Sequence, residues 1–251
     1  MEKIYEIQEE IEEKCKRNVL LCTLQGSQNY NLNDEKSDID VKVFVMPNFN
    51  DLYNCDKISK TYETKYGKAE VKDIRLLPEL IKKMNPTYLE VLATKYFIVD
   101  EDFYFIFKEM QKHLQEVIDS RKKPFFRAIL DSIQCEMKNL VQTDGTYKTK
   151  DFGRILRLYE MLKKMATNGC SFEEALYNEG EKRKHLLKAK REVLFETEIA
   201  KQEVENIYNE IKNFIILNEK TNECICSDET INKYFQEPIK GYIYDNYKHY
   251  F

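Results

Sequence analysis

Several features that would assign a chain to a common class are missing from this sequence. No apolar run approaches the roughly 20 residues that a membrane-spanning helix needs, so no membrane partner is predicted. The seven cysteines include no two pairs at zinc-site spacing, and the three histidines share no metal-binding spacing. A cysteine or histidine metal centre is therefore not expected.

The charge of the chain is close to balanced. It carries 44 acidic and 40 basic residues, a net charge of −4, which does not mark it as a nucleic-acid or membrane coat protein. The odd, scattered cysteines indicate reduced thiols. The N-terminal stretch is acidic and periodic rather than basic and then apolar. We therefore expect a cytoplasmic protein that is not exported.

The hydrophobic pattern changes near residue 100. Before that point a helix and three strands are predicted, at 2–16, 18–24, 39–46 and 69–75. After it, helical spacing dominates 103–118, 125–142, 151–168 and 182–217. The sequence thus predicts an α+β fold with two domains, the first over 1–100 and a helical one over 101–251.

Two aspartates open the Val-rich strand at 39–46. Asp38 and Asp40 lie two residues apart, so on an extended strand their carboxylates share one face and repel each other. A strand disfavours such residues unless they are paired. A hard divalent cation such as Mg²⁺ takes oxygen ligands of this kind and can bridge to substrate phosphates. We interpret Asp38 and Asp40 as metal ligands and catalytic residues.

Two further elements complete the predicted site. Gly26 and Ser27 follow the strand at 18–24, where a glycine allows close approach of the backbone and exposed amides can hold phosphate oxygens. Asp73, on the strand at 69–75, is the preferred third carboxylate, and Glu70 on the other face of that strand is the alternative. Three carboxylates holding two metals would align an attacking oxygen and stabilise a departing pyrophosphate.

At these residues the chain resembles the nucleotidyltransferase superfamily that includes DNA polymerase β, poly(A) polymerases and antibiotic nucleotidyltransferases. It is most similar to a bacterial and phage branch of predicted nucleotidyltransferases with a Gly-Ser-x-x-Tyr motif, in which Tyr30 matches the tyrosine and is expected to bind the nucleotide. That branch often has glycine after the tyrosine, where this chain has Asn31. A second block, Asn-Pro-x-x-x-Glu-x-Leu, is matched by Asn85, Pro86, Glu90 and Leu92, and the resemblance covers 18–92.

The resemblance implies a polymerase-β-like mixed sheet with flanking helices. It also implies two Mg²⁺ ions, which Mn²⁺ can replace, and transfer of a nucleoside monophosphate from an NTP. The acceptor stays open among a small molecule, a nucleic-acid end and a protein side chain. The alternative function is a non-catalytic nucleotide-binding or partner-binding module on the same fold.

The second half of the chain offers a basic segment and an aromatic tail. Residues 147–191 hold twelve Lys or Arg against six Asp or Glu. Lys150, Arg154 and Arg157 fall on one helix face, where they are predicted to bind the triphosphate, the alternative being a solvated surface. The tail at 234–251 is expected to pack on the helical domain rather than to stack on bases.

Overall fold

The structure is a computed structural model that describes residues 1–35, 37–218 and 228–248. Within them the chain forms an α+β fold with a mixed sheet. The strands are β1 Val19–Gln25, β2 Asp40–Val45, β3 Ser59–Glu63, β4 Lys68–Asp73 and β5 Phe97–Val99. The helices are α1 Glu2–Cys15, α2 Phe49–Tyr53, α3 Leu77–Lys82, α4 Pro86–Ala93, α5 Tyr104–Ser120, α6 Lys122–Lys138, α7 Thr149–Asn168, α8 Phe172–Leu176, α9 Gly180–Arg191, α10 Thr197–Asn218, α11 Asp228–Ile231 and α12 Glu237–Tyr247.

The sheet has the strand order β3-β4-β2-β1-β5. β2 and β4 run parallel, and every other neighbouring pair runs antiparallel. One face of the sheet packs against the apolar stripe of α1, because Ile4, Ile7 and Ile11 recur at helical spacing and are buried against alternate residues of the strands. The alternate strand residues in this core are Cys22, Leu24, Val41, Val43, Val45, Ala69 and Val71.

Most of the predicted elements are confirmed, with one helix corrected. The helix at 2–16 is α1, and the predicted strands at 18–24, 39–46 and 69–75 are β1, β2 and β4. The single helix predicted over 182–217 is wrong: α9 ends where Glu192 adopts an extended conformation, with φ −120° and ψ 147°. The amide of Leu194 then donates to the Tyr147 hydroxyl at 2.8 Å. In a continuous helix this amide would instead donate to a backbone carbonyl of the preceding turn.

The strands β3 and β5 were not predicted. Four of the five residues of β3 are exposed, so this edge strand carries no apolar alternation that a sequence pattern would reveal. β5 is only three residues long. Tertiary pairing with β4 and with β1, rather than local propensity, makes these segments strands.

The chain divides into two compact units, at different boundaries from the predicted 1–100 and 101–251. The first unit contains Met1–Asn29, Asn33–Val117 and the C-terminal helices α11 and α12. The second contains Tyr30–Leu32 and the chain from Ile118 through α10. Most of α5 therefore belongs with the sheet. No helix in the described ranges is both long and apolar enough to cross a membrane.

The aromatic tail packs inside the sheet-bearing unit, which corrects the expectation that it packs on the helical domain. Tyr242 meets Phe103 edge to face at 5.1 Å, and its hydroxyl donates to Asp100 at 3.2 Å. The Tyr247 hydroxyl donates to the Pro47 carbonyl at 2.7 Å. The tail residues 249–251 lie outside the described residues.

Candidate functional site

The turn after β1 lies beside the first residue of β2. Gln25 ends β1 directly opposite Asp40, and Gly26 then adopts a left-handed φ of 72° and begins a 3₁₀ turn, Gly26–Gln28, that contains Ser27. A methyl group placed on Gly26 would lie 3.8 Å from Oδ2 of Asp40. Antiparallel pairing of β1 and β2 therefore places the predicted phosphate-binding turn beside a predicted metal ligand.

The Asp38-Ile39-Asp40 segment is held by the turn between β3 and β4. The Ile39 amide donates to the Tyr66 carbonyl at 2.9 Å, and the Lys68 amide donates to Oδ1 of Asp40 at 3.2 Å. Gly67 packs so closely that a methyl group on it would lie 2.5 Å from the Ile39 carbonyl oxygen. Asp38 and Asp40 themselves are exposed at this end of the sheet. The turn fixes their backbone while leaving both carboxylates accessible.

Asp73, the preferred third carboxylate, is not brought together with Asp40. It pairs with Val45 in the parallel β2–β4 register, at the far end of both strands, and lies on the α1 face of the sheet. It is fully buried, and both of its oxygens accept from the Arg75 guanidinium, at 2.9 and 2.7 Å. Its carboxylate also caps the 3₁₀ turn that follows β4. These contacts give Asp73 a structural role.

Glu70, the alternative, shares the sheet face of Asp40. It pairs with Lys42, two residues along β2 from Asp40. Its carboxylate accepts from Lys42 at 2.8 Å and from the Tyr88 hydroxyl of α4 at 2.7 Å, and Lys72 lies 3.0 Å away. Burial raises the pKa of Glu70, but Lys42, Tyr88 and Lys72 together lower it to about 2. The carboxylate is therefore ionised and already neutralised by two lysines.

Sequence reasoning missed Gln25. Its side chain is 6% exposed and lies on the Asp40 face, and its amide nitrogen donates to Oγ1 of Thr23 and to the Leu24 carbonyl. These two bonds fix the amide orientation and leave Oε1 buried with no hydrogen-bond partner among the described residues. An unpaired buried oxygen is costly and commonly marks a missing water or ion. In the sequence, the feature that could have pointed to Gln25 was its position immediately before Gly-Ser.

The described residues bring no third carboxylate to Asp38 and Asp40 to form the predicted metal site. Asp38, Asp40 and the Gln25 oxygen are hard ligands of the type that Mg²⁺ accepts. Within 1–35, 37–218 and 228–248, however, no three His, Cys, Asp or Glu side chains lie close enough to hold a metal ion. Glu70 would have to exchange its lysine partners to become a third ligand. The predicted two-metal, three-carboxylate arrangement is not assembled.

The Tyr30–Leu32 segment belongs to the second unit and is held there through three successive backbone carbonyls. The carbonyl of Tyr30 accepts from the Asn178 amide at 3.1 Å, that of Asn31 from Nε of Arg183 at 2.7 Å, and that of Leu32 from Nζ of Lys190 at 3.2 Å. Asn31 adopts a left-handed φ of 59°. Glycine favours this conformation and asparagine tolerates it, so Asn31 can occupy this position.

The predicted nucleotide-binding residues of the second unit have different surroundings. The guanidinium of Arg157, which is buried, lies 3.8 Å from the centroid of the Tyr30 ring. Arg154 is exposed and forms an ion pair with Glu136 of α6, and Lys150 is exposed at the start of α7. Arg157 and Tyr30 therefore stabilise the segment after the Gly-Ser turn, and Lys150 does not share the environment of Arg157.

Comparison with known proteins adds no assignment. The chain matches no protein-family model, and it matches no curated protein.

Proposed function

We propose that this chain is a Mg²⁺-dependent nucleotidyltransferase that transfers a nucleoside monophosphate from an NTP to a hydroxyl-bearing acceptor. The observation that carries the proposal is that the Gly26–Ser27 turn directly follows Gln25, the strand partner of Asp40, so that a methyl group on Gly26 would lie 3.8 Å from the Asp40 carboxylate. The backbone amides of such a turn can hold phosphate oxygens, and adjacent carboxylates suit the cation that accompanies a triphosphate. The turn that would bind phosphate and the carboxylate that would bind the cation are thus neighbours.

In the reaction, the acceptor oxygen attacks the α-phosphorus of the NTP. The new oxygen–phosphorus bond replaces the bond from the α-phosphorus to the bridging oxygen, so that pyrophosphate leaves with the bonding electrons and the acceptor proton passes to solvent. Bound Mg²⁺ would supply positive charge to the phosphate oxygens. Asp38 and Asp40 would hold that cation, while Gly26 and Ser27 orient the phosphates.

The test uses the position of the label in the NTP. Purified protein is incubated with Mg²⁺, a cell extract as the source of acceptors, and each of the four NTPs labelled on the α- or the γ-phosphate. We expect the α-label to appear on an acceptor and the γ-label to appear only in pyrophosphate. Transfer of the γ-label instead would contradict the proposal, because it would indicate phosphoryl transfer.

The variants Asp38→Asn and Asp40→Asn should reduce transfer to background without loss of the fold, since each removes a charge from an exposed pair. Asp56→Asn is the matched control, because Asp56 is also exposed in the sheet-bearing unit but lies in the loop before β3. Near-normal activity in both site variants would refute the assignment of the aspartates.

One observation favours a second candidate, a non-catalytic nucleotide-binding module. Glu70 is neutralised by Lys42 and Lys72 and so does not complete a three-carboxylate set. Calorimetric titration of the protein with a non-hydrolysable NTP separates the two candidates. Binding that depends on Asp40, together with no transfer of the α-label to any acceptor, would support the module.

A further inference from the structure

Among the helices of the second unit, α9 has the largest excess of basic over acidic residues. Between Gly180 and Arg191 it carries six Lys or Arg residues and a single acidic residue, Glu181, although the chain as a whole has a net charge of −4. Such local excess is the electrostatic signature of a surface that meets a polyanion. The distribution of these charges around the helix shows which of them reach solvent.

Two of the six basic residues have internal roles. Nε of Arg183 donates to the Asn31 carbonyl and Nζ of Lys190 to the Leu32 carbonyl, so both hold the Tyr30–Leu32 segment. The buried side of the helix is formed by Leu186 and Ala189 and packs closely on α7, where a methyl group on Gly153 would lie 2.8 Å from the Lys190 Cα. This contact fixes the rotation of α9 about its axis.

The outer face of α9 carries Lys184, Lys188 and Arg191, all exposed. They are spaced at i, i+4 and i+7, and therefore form one stripe on the side opposite Leu186. Along the axis the intervals between them are about 6 and 4.5 Å. Lys184 is paired with Glu181 at 2.6 Å, but both side chains are largely exposed, at 72% and 87%. A pair of this kind is worth about 0–1 kcal/mol and exchanges readily for a phosphate.

We propose that this stripe binds the phosphate backbone of a nucleic acid, and that a nucleic-acid end is the acceptor of the transfer reaction. The second half of this proposal rests on the proposed function. A membrane surface fits less well, because the outer face of α9 carries Lys184, Lys188 and Arg191 rather than a stripe of apolar residues that could insert among lipids. A nucleic acid also supplies both regularly spaced phosphates and a terminal hydroxyl.

The stripe is connected to the candidate site through the chain itself. Arg183 and Lys190 of α9 bind the carbonyls of Asn31 and Leu32, and this segment begins three residues after Ser27 of the Gly-Ser turn. The same helix therefore displays the phosphate-binding stripe on its outer face and holds the segment that follows the phosphate-binding turn.

The test is fluorescence anisotropy with a labelled 20-nucleotide single-stranded RNA at several salt concentrations. Each phosphate contact to a single strand adds about 0.7 to the slope of log affinity against log salt. The double variant Lys184→Glu/Lys188→Glu should weaken binding about tenfold or more and reduce that slope by about 1.4. Thermal melting should be unchanged, because both side chains are exposed.

The matched control is Lys201→Glu/Lys212→Glu on α10, which makes the same charge change in the same unit. Lys201 pairs with Glu198 in the i, i+3 geometry that Lys184 and Glu181 share, and both control lysines are exposed. Equal losses in the two double variants would overturn the proposal, as would the absence of RNA binding. Polyglutamate that competes as well as unlabelled RNA would identify a surface for acidic proteins instead.

The binding assay requires no catalysis, so it separates this proposal from the proposed function. RNA binding that is lost in the stripe variant while labelling by NTP is undetectable would support the surface and contradict the transfer reaction. Transfer to a small molecule, with no RNA binding, would support the transfer reaction and contradict the nucleic-acid-binding surface.

Discussion

The Glu70 carboxylate lies 2.8 Å from Nζ of Lys42, on the sheet face that carries Asp40, whereas Asp73 lies on the opposite face and is paired with Arg75. The parallel register of β2 and β4 decides this arrangement. Glu70, and not the preferred Asp73 three positions later, therefore shares the sheet face of the predicted metal ligand Asp40.

The first prediction compares Asp73→Asn with Glu70→Gln. Asp73→Asn should lower the free energy of unfolding by about 3 kcal/mol, because it leaves the partly buried Arg75 guanidinium without its charge partner. Its activity per folded molecule should remain. Glu70→Gln should reduce α-label transfer more strongly than Asp73→Asn does, because it leaves Lys42 and Lys72 without their charge partner on the sheet face of Asp40. Urea unfolding and initial rates measure the two effects, and a folded but inactive Asp73→Asn protein would contradict the prediction.

The second prediction concerns the turn that supports the two aspartates. Gly67→Ala places a methyl group against the Ile39 carbonyl oxygen and should displace the Asp38–Asp40 backbone, at a cost of about 1–3 kcal/mol. Transfer activity should fall more than stability does, as measured by initial rates beside thermal melts. Gly241→Ala is the control, because that helical glycine has no atom within 4 Å of the added methyl group. Equal behaviour of the two variants would show that the close approach of Gly67 has no functional effect.

The third prediction addresses the stacking of Arg157 on Tyr30. A double-mutant cycle with Arg157→Lys and Tyr30→Leu should give a coupling energy of about 1–2 kcal/mol, because the desolvated guanidinium plane interacts with the ring face. Asn31→Gly should cost about 1 kcal/mol, because it removes the 2.8 Å hydrogen bond that Nδ2 of Asn31 donates to the Asn178 carbonyl. Asn31→Val should cost roughly 1–3 kcal/mol more, because a β-branched residue is strained in the left-handed conformation. Chemical unfolding measures all five variants, including the Arg157→Lys/Tyr30→Leu double variant. A coupling energy near zero would mean that the stacking does not stabilise this segment.

The fourth prediction is a pH dependence. The hydrogen bonds and charge of Arg17 lower the pKa of Asp51, whose oxygens lie 2.6 and 2.7 Å from the guanidinium. A lowered pKa means that the unfolded chain binds the proton more tightly, so this stabilisation is present above the ordinary pKa of 3.8 and is lost as the pH falls below it. Asp51→Asn should therefore destabilise the protein by about 3 kcal/mol at pH 7. The difference from wild type should shrink below pH 3.8, and a constant difference would contradict the assignment.

Local sequence determined much of this protein. Period-two alternation identified β2 with Asp40 at its start, helical spacing identified α1, and the Gly-Ser pair marked the turn beside Asp40, because each of these features depends on neighbours within a few residues. The tertiary structure alone decided the rest. The face of β4 that adjoins Asp40 depends on pairing with a strand 28 residues away, and the binding of Tyr30–Leu32 depends on side chains about 150 residues distant. Residue periodicity within one segment carries no information about such pairings, which arise only when separate elements pack together.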